Sequence, residues 1–182
     1  MEYFHPKHPN STIYLSLLAI LTALTTVATI VLFVPFPTTS GYFNLGDVLV
    51  MISGLLLGPV GGFIAGGGGS AIADLILAPP YAPITLIAKG LEGMIVGLFS
   101  SRVSKMTKFS LLDVAGVFLA SCAMLLGYLV GEVFILGYSF GAAFAELVTI
   151  NSIQVIVGSI VTLSIGPILR SYLRDLSPLE ET

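Results

Sequence analysis

Long runs of Leu, Ile, Val, Ala and Gly dominate this chain, and prolines, glycines and one basic stretch cut them into segments of helical length. About 20 helical residues cross the ~30 Å of a bilayer's hydrocarbon, so the runs predict spanning helices. The first covers residues 14–34 and is stopped by Pro35 and Pro37. A loop at 38–44, with Tyr42 and Phe43 at its edge, leads to a second helix at 45–57 that is short for a full crossing. Gly58-Pro59 turns the chain into a third helix at 60–77, and Pro79, Pro80 and Pro83 interrupt it again. A fourth helix runs from Pro83 to residue 99 and a fifth covers 111–136. A turn at 137–141 precedes a sixth at 142–173, where Gly166-Pro167 predicts a kink. The expected fold class is therefore all-α: a polytopic membrane protein with six transmembrane helices in one bundle. Residues 1–182 read as a single membrane domain, with tails at 1–12 and 175–182 around a bundle at 13–174.

The charges orient this map. Six of the seven basic residues lie outside the spans or in the last turn of one, in three clusters: Lys7, then Arg102, Lys105 and Lys108, then Arg170 and Arg174. Basic residues near span ends are retained on the cytoplasmic side. Both termini and the linker at 100–110 are thus expected inside, while 35–44, 78–83 and 137–141 face out. Six crossings from an inside N-terminus return the C-terminus inside, in agreement with the charges. The first span is longer than a signal-peptide core and is followed by Pro-Phe-Pro rather than a small-residue cleavage site, which predicts a mature helix.

Composition narrows the function classes. The chain is 55% hydrophobic and only 9% charged, against about a quarter charged for a soluble domain. A net charge of -3 leaves no basic face for a phosphate backbone, so nucleic acid is not an expected partner. One cysteine, Cys122, excludes an intrachain disulfide and a four-cysteine metal site. His5 and His8 could touch a metal, but two histidines among prolines are more often solvated, and no metal or cofactor is expected. No Ser/His, paired Asp or metal-ligand spacing within the spans supports an intramembrane enzyme. A phosphate-binding G-x-x-x-x-G-K-[ST] loop is lacking, so ATP hydrolysis would fall to partners.

Ionisable side chains in a span cost ~2.5–3.5 kcal/mol each at a helix centre, and persist where they pair, line water or function. Six need accounting for: Asp47, Asp74, Lys89, Glu92, Glu132 and Glu146. Lys89 lies six residues into the fourth helix, ~9 Å down at 1.5 Å per residue, with Glu92 one turn deeper. Asn151 and Gln154 follow Glu146 on nearly one helical face. Nearly all this polarity is in the outer halves of the spans, a pattern that describes a pocket open outward rather than a pore. Plainer readings stand beside it: Lys89 and Glu92 can neutralise each other as an i,i+3 pair, Asp47 can favour the positive end of its helix, and Asp74 and Glu146 can be structural charges near the interface. Five acids against one Lys favour a neutral or cationic ligand unless the carboxyls are protonated.

Small residues carry a second pattern. Gly62, Gly66 and Ser70, with Ala65, Gly69 and Ala73 alongside, fit close helix packing in lipid. Gly66, Gly68 and Ala71 also spell a dinucleotide-binding G-x-G-x-x-A string, but with no strand before it. Ala19 and Ala23 give the first helix a smooth face, suited to its own bundle or to another protein.

The segments Gly41-Tyr42-Phe43-Asn44-Leu45-Gly46-Asp47, Gly54-Leu55-Leu56-Leu57-Gly58-Pro59-Val60-Gly61-Gly62 and Ala73-Asp74-Leu75 resemble the S components of energy-coupling factor (ECF) vitamin transporters. Tyr81-Ala82-Pro83-Ile84-Thr85-Leu86-Ile87-Ala88-Lys89-Gly90-Leu91-Glu92-Gly93 is similar to the riboflavin and hydroxymethylpyrimidine branch, as is Asn151 with Gln154 and Gly158 in the last helix. The resemblance implies a six-helix subunit in the plasma membrane of a prokaryote. It would capture a B vitamin or precursor from outside and deliver it with a membrane coupling subunit (the T component) and two ATPase subunits. It implies docking through an Ala-x-x-x-Ala motif, matched by Ala19 and Ala23. It carries substrate-binding roles onto Tyr42, Asn44, Asp47, Tyr81, Lys89, Glu92, Glu132, Asn151 and Gln154. Two departures stand out: there is no Trp, so Tyr42, Phe43 and Tyr81 would have to stack on a ring, and the glycine run at 66–69 is rich for this branch. The vitamin stays open among riboflavin, hydroxymethylpyrimidine or thiamine relatives, and other small B vitamins. A different class, a stand-alone proton-coupled carrier with Glu92 and Glu132 as its relay, would show uptake by this chain alone.

Overall fold

The computed structural model describes residues 12–37, 39–100 and 109–176, with side chains through Tyr172. His5, His8, Lys7, the basic linker residues Arg102, Lys105 and Lys108, and the tail beyond residue 176 lie outside the described residues, as does the side chain of Arg174. Among the described residues the chain is helical apart from its connecting loops and one two-residue ladder, an all-α bundle as expected. Five segments are long and apolar enough to cross a membrane: Thr12–Val31, Gly46–Leu77, Pro79–Ser100, Leu111–Phe134 and Phe140–Tyr172.

The count of five against the six expected has a physical cause at Gly58. Helix α2 spans Gly46–Gly62, a π-helical stretch spans Phe63–Gly68, and α3 spans Gly69–Leu77, with no assigned break between them. Inside α2, however, Gly58 has φ 76° and ψ -170°, a backbone geometry that favours glycine, and Pro59 follows it. The chain doubles back there. A Cβ on Gly62 would fall 2.6 Å from the Cα of Gly54, and one on Gly66 would fall 2.8 Å from Cγ1 of Val50. In a straight helix residues 50 and 66 would be ~24 Å apart. The 32-residue segment is thus a hairpin of two antiparallel arms, 46–57 and 59–77, that touch along their length.

Helix α1, Thr12–Val31, ends three residues before the predicted stop. Residues ahead of a proline are biased away from helix, and here strand β1, Val34–Pro35, pairs antiparallel with β2, Tyr42–Phe43. The segment expected as a loop at 38–44 thus contains a strand, Tyr42–Phe43, of a small β-hairpin. Along α1, Thr22, Thr25, Thr26 and Thr29 return their hydroxyls to carbonyls one turn back, at 2.7–3.1 Å. Thr26 also donates to the Gly69 carbonyl at 2.8 Å, tying α1 to the hairpin. This is how α1 buries hydroxyls without leaving them unsatisfied.

Helix α4, Ala82–Ser100, packs most extensively against α2. The contact is nearly backbone on backbone: a Cβ on Gly54 or Gly62 would overlap the Gly93 carbonyl oxygen, and one on Gly67 would overlap that of Leu86. Helix α5, Leu111–Phe134, opens on a capping box in which Ser110 and Asp113 satisfy each other's backbone N–H groups. Helix α6, Phe140–Glu146, is capped by Ser139 and runs through a π-helical turn, Leu147–Asn151, into α7, Ser152–Leu176. The irregularity of this last span sits at 147–151, whereas the helix continues through Gly166-Pro167, where the kink was expected.

The bundle is apolar on its outside, unlike a soluble protein, and buries both polar and apolar side chains within. Val60, Leu75, Ile76, Phe118, Leu126 and Ile160 are among the large side chains left exposed on its flanks, as a lipid-facing surface requires. Met51, Leu55, Val96, Val117, Ala120 and Met124 fill the space between α2, α4 and α5. At one end of the bundle, Arg170 of α7 pairs with Asp113 of α5 at 2.8 Å and donates to Ser100 of α4 at 3.1 Å, and Ser100 donates to the Leu55 carbonyl at 2.9 Å.

Candidate functional site

The opposite end of the bundle holds a small polar cavity, open on one side. The bends in the chain bring its walls together. The β-hairpin supplies Tyr42 and the turn leading into α2 supplies Asn44; a 3-10 turn, Pro79–Tyr81, supplies Tyr81; α4 supplies Lys89 and the last span supplies Asn151 and Gln154. Each of these six was expected at a binding site from sequence, and the fold places all six on one cavity wall or another.

Their polar groups are partly committed. The Asn44 side-chain carbonyl accepts from the Gly46 N–H at 2.7 Å and so opens α2, while the Asn44 N–H donates to Gln154 Oε1 at 2.6 Å. Gln154 Nε2 in turn donates to Asn151 Oδ1 at 3.5 Å. The Asn151 amide nitrogen and the Ser70 hydroxyl remain buried with no hydrogen-bond partner among the described residues. Buried donors without partners are costly, and a polar ligand would satisfy them. The Tyr42 hydroxyl donates to Asp74, and burial, then that neighbouring carboxylate, pushes the phenol above its usual range and keeps it a donor.

Lys89 is only 2% exposed and its ammonium pairs with Asp47, a contact between α4 and α2 that sequence spacing could not anticipate. Glu92 stands 3.8 Å away, so the i,i+3 pairing read from sequence exists as the weaker of two. The ammonium also lies 5.7 Å from the centre of the Tyr128 ring. Asp47 and Glu92 do not line the cavity; they sit beneath it and neutralise its cation. Glu132 is also off the wall, behind Glu146.

Seven further wall residues have no binding role assigned from sequence: Thr29, Gly41, Ser70, Asp74, Thr85, Tyr128 and Glu146. Asp74 and Glu146, which the sequence pattern places as charges near the interface, are both buried and accept hydrogen bonds from Tyr42 and from Thr39 and Tyr81 respectively. A signal for two of the others was present. Thr85 lies four residues before Lys89 and Tyr128 four before Glu132, the spacing that shares a helical face; the two hydroxyls meet at 2.8 Å. The rings of Tyr128 and Tyr138 each stand 6.4 Å from Tyr81, giving the cavity an aromatic side. On α1, Ala19 and Ala23 are exposed, pointing away from the bundle.

An apolar-surfaced helical bundle with several spanning segments and a polar, aromatic-sided cavity at one end is a multi-pass membrane protein equipped to hold a small molecule. The family model described as "ECF-type riboflavin transporter, S component" matches residues 9–171, and the chain belongs to that family of transporter subunits. A Pyrococcus woesei protein described as "Uncharacterized protein in gap 3'region" is 39% identical over 137 residues, covering 75% of this chain and 88% of that protein.

Proposed function

We propose that this chain captures riboflavin, or a closely similar B vitamin, in the cavity at the Tyr42 end, and delivers it across the plasma membrane of a prokaryote as the S component of an ECF importer. The observation that carries this reading is the coincidence of family membership with a cavity that has unsatisfied donors and a ring-lined side. Tyr81 and Tyr128 would flank the heteroaromatic ring. The Asn151 amide, the Ser70 hydroxyl and Lys89 would bind its polar edge, with Asp47 and Glu92 positioning Lys89. Tyr42, Asn44 and Gln154 would complete the wall. Transport would need partners, a membrane coupling subunit and two ATPases. The exposed small face at Ala19 and Ala23 suits close approach of a partner helix.

The test is riboflavin binding to the purified full chain, read by quenching of the flavin's fluorescence, together with mass spectrometry of any small molecule that co-purifies. Saturable binding without the other subunits, and riboflavin uptake by proteoliposomes only when those subunits are present, is the expected result. Uptake driven by a pH gradient with this chain alone would instead establish a self-sufficient proton-coupled carrier.

A further inference from the structure

Behind Glu146 the bundle holds a second carboxyl that the cavity wall does not use. Glu132 of α5 is 0% exposed, and neither of its oxygens has a hydrogen-bond partner among the described residues. Its charged neighbour is the Glu146 carboxyl, which it faces. Its position is fixed by the backbone around it: Gly131 packs against Ile84 of α4, and the Tyr138 N–H donates to the Glu132 carbonyl at 2.9 Å. The other groups around the pair are Tyr81 from the turn before α4, Tyr138 from the segment after α5, and Thr39 from the β-hairpin tip. All three are neutral. The Thr39 and Tyr81 hydroxyls donate to Glu146, and none donates to Glu132. Lys89 is committed to Asp47 and Glu92, and Asp74 receives Tyr42.

Two ionised carboxyls side by side, nearly out of water and with no cation beside them among the described residues, repel strongly, and such pairs are stable when they share a proton. We propose that Glu132 and Glu146 together form a binding site for one proton, shared between their carboxyls, and that ligand capture in the adjoining cavity is linked to its occupancy. The linkage rests on the reading of the cavity as the ligand site; the proton site itself does not. Glu146 lines the cavity, so a bound ligand removes the pair's remaining access to water and further disfavours the doubly ionised state. The sign follows: affinity is highest where the pair holds its proton, and falls by about tenfold per pH unit once that proton is lost from the free protein.

The full-length protein in lipid nanodiscs tests both halves. An infrared difference spectrum between wild type and Glu132→Gln should show a protonated-carboxyl band at neutral pH that is present only in the wild type and titrates away on raising the pH. If Glu132→Gln does not fold, Glu146→Gln should remove the same band. Absence of the band overturns the proton site. So does stabilisation of the wild type, and not of the variant, by sodium chloride over choline chloride, because the pair would then hold a metal cation. With riboflavin as probe, wild-type affinity should fall with pH and that of Glu132→Gln should stay level; a level wild-type profile overturns the linkage. Failure of riboflavin to bind at all, with the infrared band intact, would refute the ligand reading while upholding the proton site.

Discussion

Removing either member of the Asp47–Lys89 pair should destabilise the bundle by different amounts, and the geometry sets the order. Both side chains are within 2% of complete burial, so a lost partner leaves a dry, uncompensated charge, typically a cost of about 3–5 kcal/mol. Asp47→Asn leaves Lys89 with Glu92 at 3.8 Å as its remaining counter-charge and should fall near the low end, about 3 kcal/mol. Lys89→Met strands two carboxyls at once and should approach about 5 kcal/mol. For a chain of this length 1 kcal/mol moves Tm by about 2–4 °C, giving shifts of roughly 6–12 °C and 10–20 °C. The double variant carries one stranded carboxyl rather than a stranded cation and two acids, so its loss should be smaller than the sum by about 1–3 kcal/mol. Thermal unfolding of the four proteins in one detergent measures this cycle. Single-variant losses within about 0.5 kcal/mol, the level of an ordinary surface substitution, or strict additivity would refute the view that the pair is buried and coupled.

Asn151→Leu and Tyr81→Ala should each weaken riboflavin binding by tenfold or more, about 1.4 kcal/mol, with little change in Tm for Asn151→Leu; titration calorimetry reads both. Ala19→Leu and Ala23→Leu should leave ligand affinity unchanged and suppress uptake by the assembled transporter, measured in proteoliposomes. Gly62→Leu should cost more than about 4 kcal/mol, because its side chain would meet the Gly93 carbonyl and the Gly54 backbone; poor yield and loss of cooperative melting would show it. Arg170→Ala should lower Tm by stranding the buried Asp113, while riboflavin affinity stays within about twofold, since the clasp lies at the other end of the bundle from the cavity.

How legible the site was depends on where each contact lies along the chain. Polar residues inside apolar runs identify themselves by their cost, which is why Lys89, Asn151 and Gln154 could be picked out. Their partners could not. Asp47 and Lys89 are 42 positions apart and Asn44 and Gln154 are 110, and only the folded chain brings them together. Tyr128 and Thr85 carry no charge, so only their four-residue spacing from Glu132 and Lys89 sets them apart from core residues. Glu132 illustrates the converse: its presence was evident, but that it stands behind the cavity wall rather than on it depends on the path of α5 and α6.

The linear order of residues determined that this is an all-α membrane protein, where its spans begin and end to within a few positions, and that its polarity gathers at one end. Those properties follow from local energetics: each residue's transfer into lipid, and the inability of proline to continue a helix. Tertiary structure alone decided that residues 46–77 close into a hairpin at Gly58 and that the lysine of the spans is already neutralised. It alone decided that two glutamates meet without a donor for one of them. Those outcomes depend on distances between positions remote in sequence, set by how closely glycine-faced helices can approach.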